Sequence, residues 1–235
     1  MNKVIDRIEG RITAIHTDGT VTISAYYGDL STLIKRDYKN VTVQFHDGRK
    51  VSHKQRNMCW SMISDIAEWQ GSTRSQTAKD MANHARKVDF MINELGENAD
   101  TLFSLSDAPM SLVAAYQSYL IRFILENDIP TKRPLYDYAE DISDYIYMCL
   151  IHKKCAVCGR PSELHHIDAV GMGRDRKEIV HEGMRCLPLC REHHSECHNK
   201  GNKDFMELYH FDDGVIIDKT LAKIYKLKAR KEVKQ

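Results

Sequence analysis

The sequence predicts an α+β protein with a small N-terminal β-sheet, a set of helices after it, and a C-terminal part rich in cysteine and histidine. Three observations predict this fold class. Alternating β-branched segments fill much of the first 45 residues, and helical apolar spacing begins at Ser52. Five of the seven cysteines and seven of the twelve histidines fall within residues 152–203.

Two periodicities place the individual elements. Period-two alternation predicts three strands, over residues 11–15, 20–23 and 41–45. Helical spacing predicts four helices, over residues 52–71, 77–95, 110–126 and 135–151. Asp18-Gly19 supplies a turn between the first two strands, and Pro134 stands at a tolerated position just before the last helix.

The chain has room for more than one domain. Its 235 residues fit one large domain or two small ones, and either would bury a real core. Residues 130–134, Pro-Thr-Lys-Arg-Pro, are the best candidate boundary. We therefore expect an N-terminal domain over residues 1–134 and a C-terminal domain over residues 135–235.

Composition excludes some classes of protein and leaves others open. Hydrophobic and charged contents of 42% and 29% are ordinary for a globular protein. The net charge of +1 averages unlike regions, since residues 219–235 carry seven Lys or Arg against one Glu. The sequence has no run of about 18 apolar residues, so we expect no membrane-spanning helix. The first residues have no apolar segment typical of a secretion signal. We expect a cytoplasmic protein whose cysteines are metal ligands or free thiols.

The cysteine spacing predicts a zinc site. Cys155 and Cys158 form a Cys-x-x-Cys turn, which lets two thiolates reach one ion from a tight knuckle. Cys190 begins a second half of the site, and zinc accepts thiolate and imidazole together. The fourth ligand is His193 or Cys197, and the spacing favours His193.

A zinc finger alone leaves five histidines unexplained: His165, His166, His181, His194 and His198. His165 and His166 lie in a segment that alternates like a strand, so they point to opposite faces. His194 and His198 are four residues apart, so on a helix they share one face. The spacing therefore predicts a second metal site beside the zinc.

These residues resemble the HNH, or ββα-metal, nuclease family, which combines a knuckle, a strand with a His pair, and a Cys-x-x-His-His helix. The resemblance implies that His166 is the general base that takes a proton from the attacking water. It also implies that His165, His194 and His198 hold one catalytic divalent cation (Mg²⁺, Mn²⁺ or similar), in addition to the structural Zn²⁺. The expected activity is hydrolysis of phosphodiester bonds.

The family's central residue is open to two assignments. In the family it is often Asn and lies nine residues before the helix histidine, where this sequence has Arg185. His181 follows His166 by fifteen residues and is the other candidate. Residues 170–177, between His166 and His181, begin with small residues and end with cations. This pattern suits a loop close to a phosphate backbone, and Arg174 and Arg176 are the candidates for contact with DNA. The alternative is a solvated loop.

The N-terminal part resembles the phage Orf (NinB-type) recombination mediators. The resemblance lies in Ser52-x-x-Gln55, then Trp60, then Asp65-Ile66, and in the order of strands before this helix. It implies a homodimer that binds single-stranded DNA and cooperates with single-strand-binding protein. Lys54 and Arg56 are the corresponding candidates for phosphate contacts.

Together these features predict a metal-dependent DNA endonuclease that acts in phage recombination or replication, in the cytoplasm of the bacterial host. The alternative is a non-catalytic single-strand DNA-binding mediator with a zinc-stabilised C-terminal module. A zinc-dependent transcription regulator is disfavoured, because a reader helix needs neither the His165-His166 pair nor His194 and His198. The preferred DNA structure is left open by the sequence.

Overall fold

The structure is a computed structural model that describes residues 10–36, 48–72, 75–96, 102–168 and 179–229. The described residues form a mixed α+β architecture, in agreement with the predicted class. The chain divides into two compact units, residues 1–45 and residues 46–235. The third predicted strand, over residues 41–45, lies outside the described residues.

The first unit contains a β-hairpin and one short helix. Strand β1 (Gly10–Ile15) pairs antiparallel with β2 (Val21–Ala25), which confirms the first two predicted strands. The turn between them requires a positive φ, which Gly19 supplies at 84°. Helix α1 (Leu30–Arg36) follows the hairpin.

Helices form the first half of the second unit. They are α2 (His53–Trp69), α3 (Gln76–Asp89), a π-helical extension of α3 (Phe90–Glu94), and α4 (Met110–Glu126), close to the predicted bounds. Helix α2 begins after Ser52 because the Ser52 hydroxyl accepts the Gln55 backbone N–H at 3.1 Å. In return, the Gln55 side chain accepts the Ser52 N–H at 3.0 Å. Among the described residues, no helix has the length and apolarity needed to cross a bilayer.

The prediction of one helix over residues 135–151 is wrong. The structure has a 3₁₀ turn (Leu135–Tyr138) followed by a separate helix, α5 (Ile142–Ile151). The interruption arises because Asp141 is extended and its carboxylate accepts the Asp144 backbone N–H at 3.0 Å. An Asp in this position starts a new helix rather than continuing the old one.

Several contacts connect the segments on either side of the predicted boundary at residue 134. The Lys154 ammonium pairs with the Asp128 carboxylate. Ser61 and the Tyr138 hydroxyl are 2.8 Å apart, and Gln117 donates to the Tyr138 carbonyl. The boundary stays a prediction, and a fragment that ends there would lose these contacts.

A small sheet and the helix after it form the second half of this unit. Strands β3 (Glu163–His166), β4 (Arg185–Leu189) and β5 (Val215–Ile216) pair antiparallel in that order. Helix α6 (Arg191–Lys200) leaves directly from the end of β4. It is followed by α7 (Asn202–Leu208) and α8 (Lys219–Ile224). His165 of β3 lies against His194 and His198 of α6, so the strand and the helix are neighbours.

Candidate active site and metal centres

A tight knuckle brings Cys155 and Cys158 together. The Gly159 N–H donates to the Cys155 carbonyl at 2.8 Å, and the Cys155 N–H donates to the Arg160 carbonyl at 2.7 Å. Gly159 has a φ of 70°, which favours glycine at this position. The Tyr145 hydroxyl on α5 donates to the Ala156 carbonyl at 2.8 Å, which fastens the knuckle to the helical core.

Cys155, Cys158, Cys190 and His193 form the group we call the cysteine cluster. The Cys158 and Cys190 sulfurs are 3.7 Å apart, and His193 Nδ1 lies 3.2 Å from Cys190 Sγ and 3.4 Å from Cys155 Sγ. Tetrahedral zinc would place its sulfur ligands about 3.8 Å apart and sulfur and nitrogen about 3.6 Å apart. The four donors therefore fit one zinc ion.

The surroundings of the cysteine cluster match its charge. Burial raises the pKa of Cys155 to about 12, so this thiol is held as a thiolate at neutral pH only beside a cation. Burial alone would raise the pKa of Cys158, but hydrogen bonds from Arg160 outweigh it and lower that pKa. Arg160 Nε lies 3.3 Å from Cys158 Sγ, and the same guanidinium pairs with Glu192. No sequence pattern predicts the role of Arg160, because its partner Glu192 is 32 positions away in the chain.

The alternative zinc ligand lies elsewhere. Cys197 is wholly buried, and its sulfur is 3.4 Å from His165 Nε2. The structure therefore brings His193, and not Cys197, to the three cysteines. Both residues are on α6, three and seven positions after Cys190, and the packing of β3 against the helix separates them.

His165, His194 and His198 form a second group, the histidine cluster, with one donor atom of each within 4.8 Å of the others. His194 Nε2 and His198 Nε2 are 3.2 Å apart across one turn of α6. Two imidazoles on one ion place their nitrogens about 3.0–3.4 Å apart, for metal–nitrogen distances of about 2.1 Å. Burial lowers the pKa of His165 and of His194, which keeps them in the neutral form that binds cations.

His166 points to the other face of β3. Its Nε2 lies 2.8 Å from His181 Nδ1, and the His181 backbone N–H donates to the Lys228 carbonyl at 3.0 Å. Burial, and then the neighbouring His181, lowers the pKa of His166, and burial lowers the pKa of His181. Both imidazoles are therefore neutral near pH 7, and their contact is a hydrogen bond between neutral rings.

Comparison with known proteins agrees with this arrangement. A family model described as "Putative HNHc nuclease" matches residues 29–228. The chain belongs to this HNH nuclease family. No curated protein and no solved structure gave a match. The match covers helices α2 to α4 as well as the two clusters, so the helical part lies within the nuclease family's own model. The resemblance of that part to recombination mediators stays a prediction.

Of the two candidates for the central HNH residue, His181 is the one in contact with His166. Arg185 is held by two carboxylates instead. Its Nε donates to Asp168 at 2.9 Å and its Nη1 to Asp213 at 2.9 Å. Its backbone N–H also donates to Asp168, at 2.7 Å, which fixes the start of β4 against the end of β3. Sequence reasoning missed Asp168 in this HNH chain, although it lies two residues after His166.

Two of the four predicted DNA-contacting residues are among the described residues. Arg174 and Arg176 are outside the described residues. Lys54 is exposed on the first turn of α2, and beside it the Arg56 guanidinium lies 2.8 Å from His53 Nδ1. The role of these four cations in the HNH protein stays a prediction.

Proposed function

We propose that the chain is a metal-dependent DNA endonuclease that hydrolyses phosphodiester bonds, with His166 as its general base. The observation that carries the proposal is the arrangement around β3. His165 completes a three-imidazole donor set with His194 and His198 of α6, and the next residue, His166, contacts the neutral ring of His181 on the opposite face. A base and a cation site on adjacent residues of one strand suit attack on a phosphate placed across the strand end.

The contact with His181 limits which nitrogen of His166 can be the base, because a base needs a free lone pair. For His166 to act, it must donate its Nε2–H to His181 Nδ1, which leaves the lone pair of His166 on Nδ1. In the reaction, a water gives its proton to this Nδ1 while its oxygen bonds to phosphorus. The bond from phosphorus to the leaving oxygen then breaks. His181 orients the base and stabilises the imidazolium that forms, which is the role of the central residue.

The histidine cluster would hold the catalytic cation. Bound there, the cation stabilises negative charge on the phosphorane and on the leaving oxygen. Three imidazoles without a carboxylate favour a transition ion such as Ni²⁺ or Zn²⁺ over Mg²⁺, which prefers oxygen ligands. Among the described residues, three protein donors converge here, which would leave positions for water and phosphate.

The cysteine cluster has the composition of a structural site. Its four donors complete a tetrahedron, and none of the coordination positions is left for substrate. A zinc ion there would fasten the knuckle to the start of α6, whose later turns carry His194 and His198. We propose zinc for this cluster.

The wider biological role extends the sequence predictions. We propose that the substrate is DNA in phage recombination or replication, in the cytoplasm of a bacterial host. Single-strand binding would lie in the N-terminal part, with a homodimer and single-strand-binding protein as partners. What supports this is the mediator-like sequence around α2, including the Ser52–Gln55 capping pair.

The test is cleavage by the His166→Ala variant of single-stranded, duplex and branched DNA, with Ni²⁺, Mn²⁺ or Mg²⁺. Loss of a general base lowers the rate about 10²–10⁴-fold. DNA affinity should change little, because phosphate contacts dominate it. His84→Ala, an exposed histidine on α3, is the matched control and should cleave normally. Cleavage by His166→Ala at the wild-type rate would refute the mechanism, and no cleavage by the wild-type chain would favour the non-catalytic mediator.

A further inference from the structure

Asn202 reaches back into the site from the start of α7. Helix α6 ends at Gly201, whose φ of 87° and ψ of 151° turn the chain sharply before α7 begins. A residue with a Cβ would be strained in this conformation. The turn places the half-buried Asn202 side chain between the end of β3 and the inner face of α6.

The Asn202 amide makes hydrogen bonds on both of its ends. Its Nδ2 donates to the Ile167 carbonyl at 2.9 Å. Its Oδ1 lies 3.0 Å from His165 Nε2, and the Cys197 sulfur is 3.3 Å from the same oxygen. These contacts connect a backbone group next to His166 with a side chain of the histidine cluster.

The chemistry of these groups allows one assignment of protons. The Ile167 carbonyl can only accept a hydrogen bond, so the amide nitrogen of Asn202 must face it. The amide oxygen then faces His165 Nε2, and because that oxygen also can only accept, Nε2 must carry the proton. A neutral imidazole has one proton on its two nitrogens, so the lone pair of His165 is on Nδ1.

We propose that Asn202 is a positioning residue that sets His165 for cation binding. By holding the His165 proton on Nε2, it leaves Nδ1 as the donor that acts together with His194 and His198. The ring planes of His165 and His194 are 78° apart, with centroids at 4.7 Å. Because the two rings are nearly perpendicular, a rotation of the His165 ring would turn its donor nitrogen away from the donors of His194 and His198. The inference rests on the proposed function, since it presumes a cation on the histidine cluster.

Histidine ligands of metals commonly donate their second ring N–H to a protein acceptor, and this fixes the tautomer. Here an amide is better suited than a carboxylate, because only an amide also has an N–H for the Ile167 carbonyl. The two hydrogen bonds of Asn202 can therefore be separated by substitution. Asn202→Asp keeps the acceptor for His165 and loses the donor, whereas Asn202→Ala loses both.

The experiment uses the full-length, zinc-loaded protein without DNA and has two readouts. Long-range ¹H–¹⁵N spectra of the histidine rings report which nitrogen of His165 is protonated. Calorimetric titration with Ni²⁺ reports the affinity of the histidine cluster, and zinc analysis after the titration verifies that the cysteine cluster is intact. Asn199→Ala, an exposed asparagine on α6, is the matched control.

We expect wild-type His165 to be protonated on Nε2. Asn202→Ala should weaken Ni²⁺ binding about 10–100-fold, the usual effect of removing such a partner, at unchanged zinc content. Asn202→Asp should keep the His165 tautomer and most of the affinity, and Asn199→Ala should match the wild type.

Two results would overturn the proposal. The first is a proton on Nδ1 of wild-type His165, which needs no variant and so does not depend on folding. The second is wild-type Ni²⁺ affinity in Asn202→Ala. If His194→Ala loses Ni²⁺ binding while Asn202→Ala keeps it, only the role of Asn202 falls. If His194→Ala also binds Ni²⁺ like the wild type, the cation site and the proposed function fall together.

Discussion

The cysteine cluster and the histidine cluster share helix α6 but differ in construction. The first has four donors from the knuckle and the first turn of α6, with soft thiolates that match zinc. The second has three imidazoles, two from the next turns of α6 and one from β3, and its His198 side is exposed. His193 belongs to one cluster and His194 to the other, although they are neighbours in the chain.

The difference suggests separate roles for the two proposed metal sites on α6. A closed, four-donor site can contribute folding free energy, because binding and folding are coupled in small metal modules. An open, three-donor site contributes less to folding but leaves room for substrate. We therefore expect disruption of the first cluster to affect stability and disruption of the second to affect activity alone.

The largest effect should come from Cys190→Ala. Zinc binding in small modules contributes about 10–16 kcal/mol of apparent free energy, comparable to the whole stability of a domain. We expect zinc loss and loss of the cooperative unfolding transition of the C-terminal part, measured by elemental analysis and thermal circular dichroism. Cys59→Ala, a wholly buried cysteine on α2 outside the cluster, should keep its zinc. A Cys190→Ala protein with full zinc content and an unchanged Tm would contradict the structural role of the cysteine cluster.

A smaller, purely functional effect is expected for His194→Ala. Loss of one of three donors should reduce cleavage on the order of 100-fold at fixed cation concentration, because the cation is held less tightly. Excess Ni²⁺ should restore part of this activity, whereas it should not restore His166→Ala, which lacks the base. Zinc content and Tm should match the wild type. A large fall in Tm would mean that the histidine cluster is also structural.

The smallest effect should come from Gly214→Ala, which tests the packing behind the His pair. A Cβ at Gly214 would overlap Ile167 Cδ1 and lie 2.9 Å from the Cys186 carbonyl oxygen. Overpacking of this kind costs about 1–3 kcal/mol, measured as a lower midpoint in urea with zinc retained. Gly28→Ala is the control, since its nearest neighbour would be 3.9 Å away. Equal stability of the two variants would show that the backbone around Gly214 shifts to accommodate the added Cβ at little cost in stability.

Features encoded by near neighbours in the chain were predictable from the sequence. The Ser52–Gln55 capping pair, the hairpin turn at Gly19, and the shared face of His194 and His198 all depend on spacings of four residues or fewer. The interruption at Asp141 was missed because the apolar pattern runs through it, although its side chain could have indicated a new helix start.

Features that depend on distant segments were not predictable. The spacing favoured His193 over Cys197 but left both open, and the choice between them depends on how distant segments pack, since Cys197 lies against His165 of β3. Arg160, Asp168 and Asn202 each also contact a group 17 or more positions away in the chain, and no local pattern predicts those contacts. Chain spacing therefore predicted most of the residues that the structure brings together in the two clusters, but not the residues that hold them in place.

The adjacency of His193 and His194 has a consequence for how the proposed nuclease would mature. Cys190 and His193, at the start of α6, belong to the cysteine cluster, so we expect α6 to become ordered only when zinc binds there, and the proposed active site to form only after that step. Zinc supply would then control when the protein becomes able to cleave DNA. Under zinc starvation, a cell should accumulate harmless, protease-sensitive chains rather than half-active nuclease.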